Sequence, residues 1–187
     1  MGVFIDPELA RKAKLLRDSK LFVNPSEGAE MIEKWMIFLA LAGQKPVSEA
    51  CSGRWVQVSS TRRVTVPDDP AEVKSFLESL GLACEVTPEE NTVVVAVSLK
   101  PELLKEYQDN QDVRVHGRLF GLPETAVAAM ADGNCLPIDE QDGYVREAGF
   151  GDLDVQFRLS RDHWREELET PKRWVALLKA YDLYESK

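Results

Sequence analysis

The sequence lacks an apolar run that could span a membrane, because no stretch reaches the roughly 18 consecutive apolar residues that a spanning helix requires. Its longest apolar run lies within residues 35–42, a length typical of a buried helix. The first twenty residues also lack a basic segment followed by an apolar one, which argues against a signal peptide. We therefore expect a soluble, cytoplasmic protein without membrane contact.

Cysteine and histidine are scarce, with three and two residues respectively. Cys51, Cys84 and Cys135 are odd in number and contain no CxxC pair, so the pattern predicts neither a disulfide framework nor a zinc site. Reduced cysteines fit an intracellular compartment. Cys51 and Cys135 stay weak candidates for a nucleophile, with His116 or His163 as the base that a thiol needs. No spacing selects one pair over another.

Motifs for nucleotide binding and for serine hydrolysis are missing. The chain contains no GxxxxGK[ST], no GxGxxG and no GxSxG. Its 32 acidic residues offer no particular pair for acid–base chemistry. We therefore predict no cofactor and no metal, and we expect a protein that is not an enzyme. An enzyme with a cysteine- or carboxylate-based site is the alternative.

Charge is unevenly distributed along the chain, whose formal net charge is −9. The first 60 residues carry eight Lys and Arg against seven Asp and Glu, whereas the remainder carries 15 against 25. An acidic surface repels phosphate backbones, so nucleic acid is not the expected partner.

Two helix starts are recognisable near the N-terminus. Asp6-Pro7-Glu8 combines a capping Asp with Pro at the first helical position, and Asn24-Pro25-Ser26-Glu27 repeats this arrangement. The second helix should end at Gly43, and it is apolar around most of its circumference after residue 35. We expect it to be central and buried.

The middle of the chain predicts a ββαββ segment over about 54–98. Strand patterns at 54–58 and 63–66 precede a helix that starts at Asp69-Pro70 and ends at Gly81. Two further strands, 82–86 and 92–97, follow. The unbroken apolar run at 93–97 is typical of a strand covered on both faces.

The C-terminal part is predicted to be mainly helical. A helix capped by Ser98 should precede two short helices within 112–132, a loop over 133–152 and a strand over about 153–159. Helices follow Ser160, with a break near Pro171.

These elements predict an α+β fold with a central sheet of four to five strands, mainly antiparallel, packed by N- and C-terminal helices. They also predict a single domain over 1–187, with a helical part (1–52), the ββαββ part (53–98) and a helical and loop part (99–187).

Residues 115–127 resemble a helix-turn-helix, because two short helices meet at Gly121-Leu122-Pro123. The second helix would then present residues 124–132 to the DNA major groove. That stretch carries no Arg, Lys, Asn or Gln, the side chains that best read base edges, and it contains Glu124 and Asp132. DNA binding is therefore a weak alternative, and a packed helical hairpin is expected.

Arg165, Arg173 and Trp174 near the C-terminus form a candidate interaction surface, since Trp and Arg are enriched at interface hot spots. With catalytic motifs missing, the sequence favours a non-catalytic protein-interaction or regulatory module. Its partner should be a protein, and assembly with further copies of the chain remains open.

Overall fold

In the computed structural model, which describes residues 5–23, 31–59, 62–151 and 155–184, helices surround a four-stranded antiparallel sheet. The elements in chain order are α1 (Pro7–Asp18), α2 (Ile32–Leu41), β1 (Ser48–Ser59), β2 (Arg62–Pro67), α3 (Pro70–Ser79), β3 (Ala83–Pro88), β4 (Val93–Ser98), α4 (Pro101–Asp109), α5 (Val113–Leu119), α6 (Glu124–Asp132), α7 (Ile138–Glu147), α8 (Trp164–Glu167) and α9 (Glu169–Ala180). The predicted α+β class is confirmed, and so is the ββαββ order from β1 to β4.

The predicted capping chemistry is present at the starts of α1 and α3 and at the end of α2. The Asp6 carboxylate accepts hydrogen bonds from the N–H groups of Glu8 and Leu9 at the start of α1, and Asp69 accepts one from Ala71 at the start of α3. Gly43, with φ +67°, follows α2 in the left-handed conformation that glycine adopts readily. The predicted start of α2 at 24–27 lies outside the described residues.

The sheet has the order β2-β1-β4-β3, and every neighbouring pair is antiparallel. β1 begins six residues before the predicted start at Arg54 because its two halves pair with different strands. Ser48–Ser52 pairs with β4, whereas the half that starts at Gly53 pairs with β2.

β4 lies at the centre of the molecule, and apolar side chains cover both of its faces. Val93, Val95 and Val97 pack in a cluster with residues of α1, α2 and α3. Ala96 points to the opposite face and packs in a cluster with Val47, Leu104 and Leu119. The prediction of a strand covered on both sides is confirmed.

Two C-terminal predictions are wrong. Residues 138–147, predicted as loop, form α7, which starts after Pro137 and carries Asp139 and Glu140 in its first turn, where acids favour a helix. The predicted strand at about 153–159 is not part of the sheet; 152–154 are outside the described residues, and 155–159 are irregular.

The side chain of Gln141 forms two of the hydrogen bonds that a neighbouring strand would form with residues 157–159. The amide of Gln141 donates its Nε2–H to the carbonyl oxygen of Phe157 over 3.1 Å, and its Oε1 accepts from the Leu159 N–H over 2.9 Å. Cys135 and Ser160 add a single bridge of the antiparallel type. The alternation that suggested a strand does bury Phe157 and Leu159. Their backbone is satisfied by the Gln141 amide and by Leu136 N–H, which donates to the Leu159 carbonyl oxygen over 2.8 Å.

Residues 44–47, between α2 and β1, contact three parts of the fold: the end of α5, α9 and the end of β4. The carbonyl oxygen of Gln44 abuts Gly121, and the ammonium of Lys45 lies 4.6 Å from the ring centroid of Trp174. The carbonyl oxygen of Pro46 accepts from the Ser98 hydroxyl over 2.6 Å, and Val47 N–H donates to Leu119 O over 2.8 Å.

The prediction that Ser98 caps α4 is wrong: its hydroxyl oxygen accepts from the N–H of Lys100, one residue before the helix starts, over 3.1 Å. The residue at the N-cap position of α4 is Lys100, which makes no side-chain capping bond.

Candidate functional site

An open groove of about 570 Å³ lies between the C-terminal end of α7 and one face of α8 and α9. Its lining residues come from both walls and from the chain after α9: Tyr144, Glu147, Ala148, Gly149 and Phe150 on one side, Trp164, Arg165, Leu168, Glu169, Lys172, Val175, Ala176 and Lys179 on the other, and Tyr184 at the end. Aromatic side chains and Arg165 belong to this set, and aromatic residues and Arg are enriched at protein–protein interfaces, whereas Lys and Glu are depleted there.

The α8–α9 wall is one helical face with a break in its hydrogen bonding. Pro171 has no N–H to donate to the carbonyl of Glu167, which explains why α8 ends there. Leu168, between the helices, keeps helical angles (φ −64°, ψ −16°), and its carbonyl accepts from the Lys172 N–H over 3.2 Å. The face therefore continues from α8 into α9.

Stacked side chains form one end of the groove. The rings of Tyr144 and Trp164 lie 4.1 Å apart with an interplanar angle of 15°. The guanidinium carbon of Arg165 lies 4.2 Å from the centroid of the Trp164 ring, a distance at which a cation is attracted to an aromatic face. These contacts fix three large side chains before any partner binds.

The other end repeats the pairing of a cation with an aromatic ring. Lys179 Nζ lies 4.8 Å from the ring centroid of Tyr184. Tyr184 stacks on Trp35 of α2 at 5.1 Å, and Trp35 Nε1–H donates to the carbonyl of Leu183 over 2.6 Å. The end of the groove is thus held to the core of the molecule.

The cations of the groove are incompletely paired. Lys172 forms an ion pair with Glu169 over 3.0 Å, and both side chains are about two-thirds exposed (66% and 63%). Among the residues that the structure describes, no carboxylate lies within ion-pair distance of Arg165 or Lys179. Two positive charges are therefore available to a ligand in a chain that is acidic overall.

Of the three residues predicted to form an interaction surface, Arg165 lines the groove. Arg173 lies outside it, where Nη2–H donates to the Thr170 hydroxyl over 3.2 Å. Trp174 is 3% exposed and packs edge-to-face on Phe157 at 6.3 Å. The sequence interpretation missed Lys172 and Lys179, although Arg165, Lys172 and Lys179 follow one another at seven-residue intervals in the sequence.

The cysteine candidates lack the features of activated nucleophiles. The pKa of the Cys51 thiol is raised, first by partial burial and then by the Glu33 carboxylate, so its reactive thiolate is less populated at neutral pH. Cys135 is half-buried at the bridge with Ser160.

The two histidines make other contacts. His116 Nε2 lies 2.7 Å from the carbonyl oxygen of Asn110 and 3.2 Å from that of Tyr107, so this nitrogen carries the proton as a donor. His163 is exposed, with Nδ1 3.1 Å from Glu166 Oε2. No contact joins either ring to a cysteine in the described part of the chain, where no group of three potential metal ligands occurs either.

Tyr107 is a further titratable side chain with a strongly perturbed pKa. Burial raises its pKa, and its hydroxyl donates to Glu49 Oε1, which raises the pKa further. The ring packs against His116 with centroids 4.7 Å apart. A phenol with a raised pKa stays protonated, so this cluster has a structural role in packing α4 on α5.

The helix-turn-helix segment forms the expected helical hairpin. A Cβ on Gly117 would lie 2.5 Å from a Val127 methyl, so α5 and α6 pack closely there. Glu124 and Asp132 are exposed on α6, and Asp132 forms an ion pair with Arg114 over 2.8 Å. The exposed surface of α6 thus carries negative charge, which DNA phosphates would repel.

No helix in the described part of the chain is long and apolar enough to cross a membrane. Comparison of the chain with protein-family models, with curated proteins and with solved structures found no match.

Proposed function

We propose that the chain is a protein-interaction module whose groove between α7 and α8–α9 binds an acidic segment of a partner protein. The observation that carries the proposal is the pair of cations, Arg165 and Lys179, which stack on aromatic rings at the two ends and have no ion-pair partner among the described residues. A negatively charged segment would complete both.

The groove also supplies apolar contact area. Between its charged ends lie the side chains of Val175 and Ala176 on α9 and of Phe150 after α7. Burial of apolar surface provides most of the free energy of association, and charge complementarity selects the partner and accelerates encounter. Trp164 and Arg165 are of the types that most often dominate binding energy.

Preorganisation supports the same function. Tyr144 holds Trp164, and Trp35 holds Tyr184, so these rings lose little side-chain freedom when a partner binds. Ala148 and Gly149, two small residues of the opposite wall, leave room for side chains of the ligand.

The experiment is selection from a phage-displayed library of random peptides on the full chain, followed by anisotropy titrations of the enriched peptides. We expect sequences rich in Asp and Glu with interspersed apolar residues, and binding that weakens with added salt. Ala176→Glu, which fills the groove and adds a negative charge, should weaken binding at least about tenfold.

Ala131→Glu is the matched control, since Ala131 is exposed on α6 and outside the groove. It should leave the affinity unchanged. Failure to enrich any peptide, or enriched peptides that bind the Ala176→Glu variant as well as the unmodified chain, would refute the proposal.

A further inference from the structure

Three basic residues of the groove follow one another at seven-residue intervals: Arg165, Lys172 and Lys179. Seven residues of α-helix make two turns to within about 20°, so residues at this spacing lie on one face. Each step advances about 10 Å along the axis, and the three cations therefore form a row about 20 Å long. We call them the basic row.

Apolar residues recur with the same period beside this row. Leu168 and Val175 are seven residues apart, line the groove and are nearly buried (5% and 9% exposed). Apolar positions every seven residues, flanked by charges with the same repeat, are the pattern by which one helix packs along another.

From this pattern we infer that the occupant of the groove is an acidic amphipathic helix whose carboxylates recur every seven residues. The inference rests on the proposed function and specifies its partner class. Apolar side chains of the ligand helix would pack on Leu168 and Val175, and its carboxylates would face the basic row.

Charge favours this occupant over a neutral helix or an anion of small size. Arg165 and Lys179 have no ion-pair partner among the described residues, and Lys172 is held only by the exposed carboxylate of Glu169. Exposed pairs of this kind are weak, so a ligand carboxylate can replace Glu169 with little loss. A small anion would reach one cation at a time, because neighbouring cations are about 10 Å apart along the helix.

The test uses two designed peptides of about three heptads with the same composition. One carries leucines on the contact face and a glutamate at every seventh residue beside them; in its isomer the glutamates are redistributed around the helix. We expect the first to bind the full chain at least about tenfold more tightly, with an affinity that falls as salt is added.

Charge exchange makes the test specific for the basic row. Lys172→Glu and Lys179→Glu should each weaken the binding of the glutamate peptide about five- to thirtyfold, since attraction is lost and repulsion added. A peptide with lysines in place of the glutamates should regain affinity for these variants. Lys100→Glu is the control, because Lys100 is exposed before α4 and outside the groove.

The outcomes separate this inference from the proposed function. If the two isomers bind equally, or if the lysine peptide does not recover binding to the reversed variants, the helical register is wrong. The proposed function would still stand if Ala176→Glu abolished the binding of library-selected peptides. Tight binding of inorganic phosphate or citrate, together with no measurable binding of either peptide, would overturn both this inference and the proposed function.

Discussion

Two lysines close in sequence are both buried, and their replacement by methionine should change stability in opposite directions. Lys34 is 2% and Lys45 3% exposed. The ammonium of Lys34 donates to the carbonyl oxygens of Arg17 and Ser19, at the end of α1, over 2.8 and 2.6 Å. The ammonium of Lys45 lies over the ring of Trp174, and no carboxylate of the described residues lies within ion-pair distance of it.

Burial lowers the pKa of Lys45 from 10.5 to about 8. At pH 7 the lysine is charged in both the folded and the unfolded chain, so the folded state carries a penalty of about 3 kcal/mol for holding the ammonium away from water. The cation–π contact offsets this by about 1–2 kcal/mol.

Lys45→Met removes both effects, and we expect a net gain of about 1–2 kcal/mol in the free energy of unfolding at pH 7, or about 3–6 °C in Tm. In the unmodified chain, the unfolded state binds more protons than the folded state between about pH 8 and 10.5. Stability should therefore rise with pH through that window. The Lys45→Met variant should lose this contribution.

Lys34→Met is the matched comparison. It removes two hydrogen bonds and leaves the carbonyls of Arg17 and Ser19 without this donor, which should lower stability by about 2 kcal/mol. Urea unfolding from pH 7 to 11 measures all three chains. A Lys45→Met variant that is less stable at pH 7, or that keeps the full rise above pH 8, would refute the reasoning.

Two further predictions concern a close contact and a cysteine. Gly121→Ala should lower the free energy of unfolding, measured in urea, by about 2–4 kcal/mol, because φ is +70° and the new Cβ would lie 2.5 Å from the Gln44 carbonyl oxygen. Gly133→Ala should lower it by only about 1 kcal/mol, because φ is +72° but open space surrounds the new Cβ. Equal losses would contradict the contact. With Cys84 and Cys135 changed to Ser, Cys51 should react with iodoacetamide more slowly in the folded chain than in urea near neutral pH, since its pKa is raised. Faster labelling of the folded chain would show that the thiol is activated after all.

Local chemistry made much of the fold predictable. The caps at Asp6 and Asp69 and the helix end at Gly43 act through hydrogen bonds and backbone angles within a few residues, so the sequence alone reveals them. The apolar run at 93–97 indicated a strand covered on both faces because no other arrangement buries every side chain of a strand.

The errors arose where a long-range contact decided the structure. The alternation around Phe157 is compatible with a strand, whereas in the structure the Gln141 side chain and the Leu136 N–H supply the hydrogen bonds to that backbone. The groove depends on the position of α7 relative to α8 and α9, which no local sequence pattern encodes. Residue type alone pointed to Arg165, whereas Lys172 and Lys179 could be recognised as its neighbours only by continuing the helical period past Pro171.

The connection at residues 44–47 behaves unlike an ordinary surface loop. Insertions in loops are usually tolerated, because a longer loop costs little additional entropy. Here each consecutive residue occupies a fixed place against Gly121, Trp174, Ser98 or Leu119. One added residue would move the residues that follow it away from their partners and displace the start of β1, so this short stretch should tolerate changes in length poorly.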